Sequence, residues 1–175
     1  ACCEYPLIAA KNSKFVKKIF VSTDCPKIKN ISKSYGAEII ERPKKLANSN
    51  ALGEDVYKHA YEEVEKKYGK KKISLIVLLM ANAPTINSKM IDTGIKKLQK
   101  NKKFDSVVST SVYNMWSPLR ARKLASDGSL KPFVNFNYFG NPKTLNCDRD
   151  SQGNVYFADM SLSIVRPKCL ENLKD

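Results

Sequence analysis

The sequence predicts an α/β protein, a three-layer αβα sandwich around a mainly parallel, mixed sheet. Three observations predict it. Residues Lys18–Pro43 read as one strand–helix–strand unit. The run Ile73–Leu79 is almost wholly apolar, as a strand covered on both faces must be. Amphipathic helical segments stand between the apolar runs, so two β-α-β steps follow one another.

In the first unit, Ile19-Phe20-Val21-Ser22 is a short, β-prone run. Asp24 is placed to cap the helix that Pro26 opens. Ile28, Ile31 and Tyr35 recur at spacings of three and four, and Gly36 stands where a left-handed C-cap belongs. Ala37–Ile40 returns as a strand that Glu41-Arg42-Pro43 ends. Such units pair their strands in parallel and hold ligands at the strands' carboxyl ends, which places Ser22-Thr23-Asp24 and Arg42-Pro43 on the chemical edge. The second step carries a helix over Glu54–Tyr68, with Val56, Ala60 and Val64 as its stripe and Gly69 as its stop. Ile73–Leu79 then runs as a central strand into the loop Met80–Thr85. Asn87 or Ser88 caps the next helix, which turns Met90, Ile91, Ile95 and Leu98 inward, and Asp105–Ser111 is a further strand.

From Tyr113 to Pro167 the helical period fades. Short β-like pieces are expected at Arg120–Leu124, Leu130–Tyr138, Val155–Phe157 and Leu162–Val165, with turns at Asp127-Gly128 and Gly140-Asn141-Pro142. No repeat, low-complexity tract or linker interrupts the chain, so its 175 residues read as one domain.

Composition excludes several function classes. No apolar run approaches the roughly 18–20 residues of a membrane span. The start Ala1-Cys2-Cys3-Glu4 has no basic segment followed by an apolar one, so no cleavable signal is expected. Five cysteines, at 2, 3, 25, 147 and 169, lack metal-ligand spacing and suit reduced thiols in a cytoplasmic protein. The Cys2-Cys3 pair reads as disordered or buried thiols ahead of a reactive pair. The net charge of +14 comes from 26 lysines and 5 arginines set against 17 acidic residues. The lysines are scattered over predicted helix faces and turns, and no RNA-binding signature accompanies them. Nucleic acid is therefore not the expected partner. A positive field of this kind concentrates anionic small molecules such as phosphates and carboxylates.

The side chains also narrow the chemistry. His59 is the only histidine and falls mid-helix between Glu54 and Glu62, so a histidine-based triad and a histidine metal site are both unsupported. No Walker or dinucleotide glycine fingerprint is present among only 7 glycines. What remains is a set of polar loops at strand ends: 22–24, 42–53, 81–85 and 117–122. Arg120 and Arg122 alternate on an expected strand and so share a face. Two forked guanidiniums could clamp a carboxylate or phosphate, or simply make a solvent-facing basic strand.

The ordered series strand-Ser22-Thr23-Asp24, helix, Tyr35-Gly36-Ala37-Glu38, Arg42-Pro43-x-x-Leu46-Ala47 resembles the acylneuraminate cytidylyltransferases, which make CMP-sialic acids and related CMP-sugars. The likeness continues through the helix after Asp55, Val77-Leu78-Leu79, Asp105–Ser109, Ser117–Lys123 and Gly153-Asn154-Val155-Tyr156, covering about Tyr5 to Leu170. It implies a Rossmann-like nucleotide-diphospho-sugar transferase fold. It also implies attack of the anomeric hydroxyl of a 2-keto sugar acid on the α-phosphate of CTP, with Mg²⁺ helping and pyrophosphate leaving. By family position, Arg42 and the Ala51–Gly53 backbone meet the cytosine, and Asn82 faces both CTP and sugar. Arg120, with Arg122, holds the sugar's carboxylate, while Tyr156 and Asp159 line the sugar side. The resemblance further implies a homodimer with an arm reaching the partner's site. Phe133–Phe139 is aromatic enough to be that arm, and a core strand is the equal alternative.

The sequence also departs from the family. Its relatives carry Gln-Pro-Thr-Ser-Pro where Met80-Ala81-Asn82-Ala83-Pro84 stands here. Their phosphate-binding segment would precede Tyr5, the join from Ile8 to Ala9-Ala10-Lys11 is about five residues short of their helix, and their Asp-x-Asp metal pair lies beyond Asp175. The 175 residues alone are therefore expected to be inactive, with metal ligands outside them. Three alternatives compete with the sialic-type transferase: a Kdo cytidylyltransferase, whose counterpart loop carries an aspartate near Asn82; a catalytically inactive nucleotide-binding relative; and a nucleic-acid binder.

Overall fold

A computed structural model describes residues 1–141 and 153–171. It divides into two compact units, residues 1–109 with 160–175 and residues 110–159. The turn-rich second half forms its own cluster of contacts.

In the first unit, helix α1 (Glu4–Lys11) precedes strand β1 (Phe20–Thr23), helix α2 (Pro26–Ser34) and strand β2 (Glu38–Glu41). β1 and β2 pair in parallel, Phe20 opposite Glu38 through Thr23 opposite Glu41. The connection closes as its residues dictate. Gly36 takes φ +80, and the amides of Gly36 and Ala37 donate to the carbonyls of Lys33 and Ser32, a left-handed Schellman cap. The N-cap differs from expectation: it is Cys25, not Asp24. Thr23 Oγ1 accepts from the Cys25 amide at 3.1 Å, so the turn tightens one residue later and leaves Asp24 exposed.

Helix α3 (Gly53–Tyr68) ends at Gly69, φ +83, as the sequence requires. Its buried anchor is Tyr61, whereas Val56, Ala60 and Val64 are half-buried. Strand β3 (Ile76–Leu79) is followed by helix α4 (Ser88–Lys100), strand β4 (Ser106–Val112), strand β7 (Tyr156–Val165) and helix α5 (Pro167–Glu171). Asn87 caps α4 by accepting from the Met90 amide at 3.0 Å. Ile91, Ile95 and Leu98 are buried along one stripe of that helix and Met90 is half-buried.

The layers follow from alternation along the strands. Val77 and Leu79 of β3, with Leu162 and Ile164 of β7, pack on Ala9, Ile91, Ile95 and Leu98 of α1 and α4. Ile76 and Leu78, with Val165, pack on Tyr61 and Leu170 of α3 and α5. The sheet is thus covered on both faces, and the αβα expectation holds. Its pairing is another matter. The order is β3-β7-β4, so β7 is the middle strand and β3 an edge, antiparallel to β7 from Ile76–Val165 to Leu79–Leu162. Among the described residues, parallel pairing is shown for β1–β2, which form a separate two-stranded sheet. β7 is one ten-residue strand where two short pieces were expected, and Met160 takes φ +57 within it.

The second unit holds strands β5 (Arg122–Leu124) and β6 (Leu130–Pro132), an antiparallel hairpin around Gly128, φ +78. The expected strand at Arg120–Leu124 is corrected. Pro118–Arg120 is a 3-10 turn, capped by the Ser117 hydroxyl on the Leu119 amide at 3.3 Å, so Arg120 and Arg122 do not alternate on one strand. The expected strand over Leu130–Tyr138 stops at Pro132. Asn135 caps a 3-10 turn at Phe136–Phe139, and Phe133, Tyr138 and Phe139 are exposed, which removes the core-strand alternative. Cys2, Cys3, Cys25 and Cys169 are free thiols, and Cys2 is exposed rather than buried. Cys147, and Pro142 of the expected turn, lie outside the described residues.

Candidate functional site

The carboxyl end of β1 and β2 is organised by Arg42. Its guanidinium donates from Nε to Ser22 Oγ at 3.3 Å and from Nη2 to the Ser22 carbonyl at 2.5 Å. Ser22 is opposite Ile40 in the parallel register, two residues before Arg42, so pairing sets the reach of this contact. A fork held on two sides loses little freedom when it meets a further acceptor.

The chain then passes through the 3-10 turn Lys44–Leu46 and an Asx turn, in which Asn48 Oδ1 accepts from the Asn50 amide at 2.8 Å. Ala51 is half-buried, Leu52 is exposed, and α3 begins at Gly53. Among the described residues, no side chain caps that helix, and nothing lies within 4 Å of the position a Cβ at Gly53 would take. Helix amides that lack a side-chain cap attract acceptors and negative charge. Ala51 and Gly53 thus offer backbone, as their small side chains require.

One turn into α3, Tyr57 donates to Met80 Sδ at 3.1 Å. Met80 is the first residue after β3, and its amide donates to the Ser161 carbonyl at 3.1 Å. Burial and then the Glu54 carboxylate push the Tyr57 phenol above its usual range, while Arg42 pulls it down. Tyr57 is therefore a neutral phenol within the field of Arg42. The following loop leaves Asn82 exposed and buries Ala83, whose amide closes a turn on the Met80 carbonyl.

Arg42, Ala51, Gly53 and Asn82 lie in the first unit. Arg120, Arg122, Tyr156 and Asp159 lie in the second. Arg120 is exposed at the end of its 3-10 turn. Arg122 Nη1 donates to the carbonyls of Leu119 and Ala121 at 2.8 and 3.0 Å, and its guanidinium sits 5.3 Å from the Phe136 ring centre. That fork braces the turn presenting Arg120. Asp159 accepts from Ser111 Oγ and Tyr156 from Asn154 Nδ2, both at the 3.5 Å limit, so these contacts are weak. His59 is half-buried on α3, with a buried Nδ1 that has no hydrogen-bond partner among the described residues. Among the described residues, no group of three or more His, Cys, Asp or Glu side chains could hold a metal ion, and no helix is long and apolar enough to cross a membrane.

Sequence reasoning missed Tyr57 and the Ser22–Arg42 contact. A signal existed for the first: Tyr57 follows Gly53 by four residues and so lies on its face of the helix. The second needed the strand register.

The family and the fold are shown by comparison with known proteins. Among curated relatives, the chain is 31% identical over 121 residues to a Helicobacter pylori protein, a pseudaminic acid cytidylyltransferase and UDP-2,4-diacetamido-2,4,6-trideoxy-beta-L-altropyranose hydrolase. That match covers 69% of this chain and 22% of the relative. The chain is 29% identical over 137 residues to the N-acylneuraminate cytidylyltransferase of Escherichia coli O18:K1:H7, covering 77% of this chain and 30% of the relative. It thus spans less than a third of the length of either. Among solved structures, CMP:2-keto-3-deoxy-manno-octonic acid synthetase complexed with CTP matches with TM-score 0.63 at 14% identity, over 98% of this chain and 66% of that one. A cytidylyltransferase from Leptospira borgpetersenii serovar Hardjo-bovis matches with TM-score 0.55 at 20% identity, over 99% and 52%. These likenesses establish the nucleotide-diphospho-sugar transferase fold. The cytidylyltransferase family model matches residues 3–133, three quarters of the sequence, and the chain belongs to the cytidylyltransferase family.

Proposed function

We propose that the protein transfers CMP from CTP to the anomeric hydroxyl of a 2-keto sugar acid, a sialic acid or related nonulosonic acid, and releases pyrophosphate. The observation that carries this reading is the Arg42 fork pinned on Ser22, whose charge is felt by Tyr57 in the first turns of α3, a helix whose start offers backbone amides with no side-chain cap. Arg42, Ala51 and Gly53 hold the nucleotide, with Asn82 between nucleotide and sugar. Arg120 takes the sugar's carboxylate, Arg122 braces it, and Tyr156 and Asp159 line the sugar side. The nonulosonic reading is favoured over Kdo by the two curated relatives, whose names concern pseudaminic and N-acylneuraminic acids. The Kdo enzyme is similar at the level of fold.

Phosphoryl transfer of this type needs charge neutralisation and in-line positioning more than covalent help, and Mg²⁺ is the proposed cation. The described residues offer no cluster of three or more His, Cys, Asp or Glu side chains to hold it. We read the exposed Phe133, Tyr138 and Phe139 as a surface for a second copy, and the place of action as the cytoplasm. A strictly monomeric mass by light scattering removes the dimer.

The test is pyrophosphate release by the full-length protein with CTP, Mg²⁺ and a panel of nonulosonic acids and Kdo. Release with one nonulosonic acid is expected. Release with Kdo alone changes the substrate, CTP binding without release marks a binding-only relative, and no CTP binding overturns the reading.

A further inference from the structure

Tyr57 is a group that the family resemblance leaves without a role, and its surroundings suggest one. A half-buried phenol ordinarily finds a strong hydrogen-bond partner. This one donates to a thioether, which is a weak acceptor. Its hydrogen-bonding capacity is therefore mostly unspent, and exchanging sulfur for a carbonyl oxygen or ring nitrogen gains a full bond at little cost. The side chain is also well placed. It follows Gly53 by one helical turn, and the space around Gly53 is open. It meets Met80 at the carboxyl end of β3 and lies within the field of Arg42, the fork pinned at the end of β2. Methionine is itself an easily displaced partner, because its unbranched chain rotates freely.

We propose that Tyr57 reads the nucleotide base: on CTP binding its hydroxyl leaves the Met80 sulfur and donates to N3 of the cytosine. This rests on the reading of the protein as a CTP-dependent enzyme. The phenol stays protonated across the working range, since burial raises it, so it remains a donor. Cytosine presents O2 and N3 as adjacent acceptors, whereas N3 of uracil carries a proton. A donor fixed beside that edge separates the two bases by leaving a polar group unpaired with the wrong one.

The experiment is calorimetric binding of CTP and UTP to the full-length protein and to Tyr57→Phe, with melting temperatures measured alongside. The phenylalanine variant keeps the ring and loses the hydroxyl. Its Kd for CTP is expected to rise about three- to tenfold, the worth of one neutral hydrogen bond, and its preference for CTP over UTP to fall by the same factor. A strut between α3 and the β3 loop would instead lower the melting temperature and leave the CTP/UTP ratio untouched, and that result overturns the inference. Should Tyr57→Phe fold poorly, Met80→Leu decides: removing the competing acceptor tightens CTP binding if the inference holds, and unchanged or weaker binding overturns it. A wild-type protein that binds no CTP removes the reading of the function and this inference together. CTP binding equal in wild type and Tyr57→Phe removes the inference alone.

Discussion

The two units are held together differently. Among the described residues, fifteen of the sixteen buried apolar side chains lie in the first unit, and the sixteenth, Leu119, in the second. The first unit stacks α1 and α4, a sheet, then α3 and α5, and its strands alternate side chains into both layers. In the second, local polar contacts do the holding: the Ser117 cap, the Asp127–Ser129 turn, Arg122 on two carbonyls, and Asn114 Oδ1 on the Val155 amide at 3.0 Å. Its large apolar groups, Trp116, Leu124 and Tyr138 among them, face outward at 70–83% exposure. A region built this way keeps its shape through turn chemistry and leaves its apolar surface available for contact.

The contrast can be tested first at its strongest point. Leu98→Ala removes a fully buried side chain from α4 and is expected to cost about 2–5 kcal/mol in urea unfolding. Trp116→Ala in the second unit should fall within about 0.5 kcal/mol, because that ring is exposed. Equal losses at the two sites would end the distinction.

A finer probe lies between α4 and β7. A Cβ at Gly94 would stand 2.6 Å from Ile164 Cδ1, inside the core. Gly94→Ala gains about 1 kcal/mol of helix propensity. It pays for this with about 1–3 kcal/mol of overpacking. The expected net is a loss of about 1 kcal/mol, reversed when Ile164→Val removes the offending methyl. A stabilised single variant would show that α4 has room to move away.

Electrostatics gives the third comparison. Lys67, Tyr68 and Lys18 all hydrogen-bond Glu38 and hold its carboxyl at about 2, below its ordinary 4.5. A carboxylate lowered in the fold adds stability above its ordinary value, and that stability is lost as pH falls from about 4.5 through about 2. The side chain is 31% exposed, and after discounting for solvent screening about 1 kcal/mol remains. Glu38→Gln should therefore lower stability by that amount at pH 7, with the two proteins converging near pH 2. A difference that persists unchanged at pH 2 would assign the loss to packing.

The smallest effect belongs to the second unit. Asn135→Ala removes the side-chain acceptor for the Asn137 amide, 3.0 Å away. It should cost a few tenths of a kcal/mol up to about 1. Faster amide exchange is expected at Asn137 and Tyr138, with the first unit unaffected. Exchange that quickens throughout the chain would mean that the two units unfold as one.

Local chemistry made much of the first unit legible in advance. Pro26 opened α2, Gly36 and Gly69 closed two helices, Asn87 capped α4, and period-3.6 stripes placed Ile91, Ile95 and Leu98. The second half resisted because single polar contacts decide its shape. Ser117 and Pro118 turned an expected strand into a 3-10 turn, and Asn135 did the same for the aromatic run. At the candidate site, the residue types Arg42, Gly53 and Asn82 could be picked out by position at strand and helix ends. The partners that aim them could not, since Ser22 reaches Arg42 across a β-α-β crossover and Met80 reaches Tyr57 between two elements.

The sequence by itself determined the α/β class, the opening of α2 at Pro26, the stops at Gly36 and Gly69, the Asn87 cap of α4 and the family, because propensity, capping and an ordered series of short motifs act over a few residues at a time. Tertiary structure alone decided that β7 lies between β3 and β4, that β3 pairs antiparallel, and that Tyr57 meets Met80. Those outcomes join residues 23 to more than 80 positions apart, and the energy that selects them comes from two-sided burial and backbone pairing, which no local window of sequence contains.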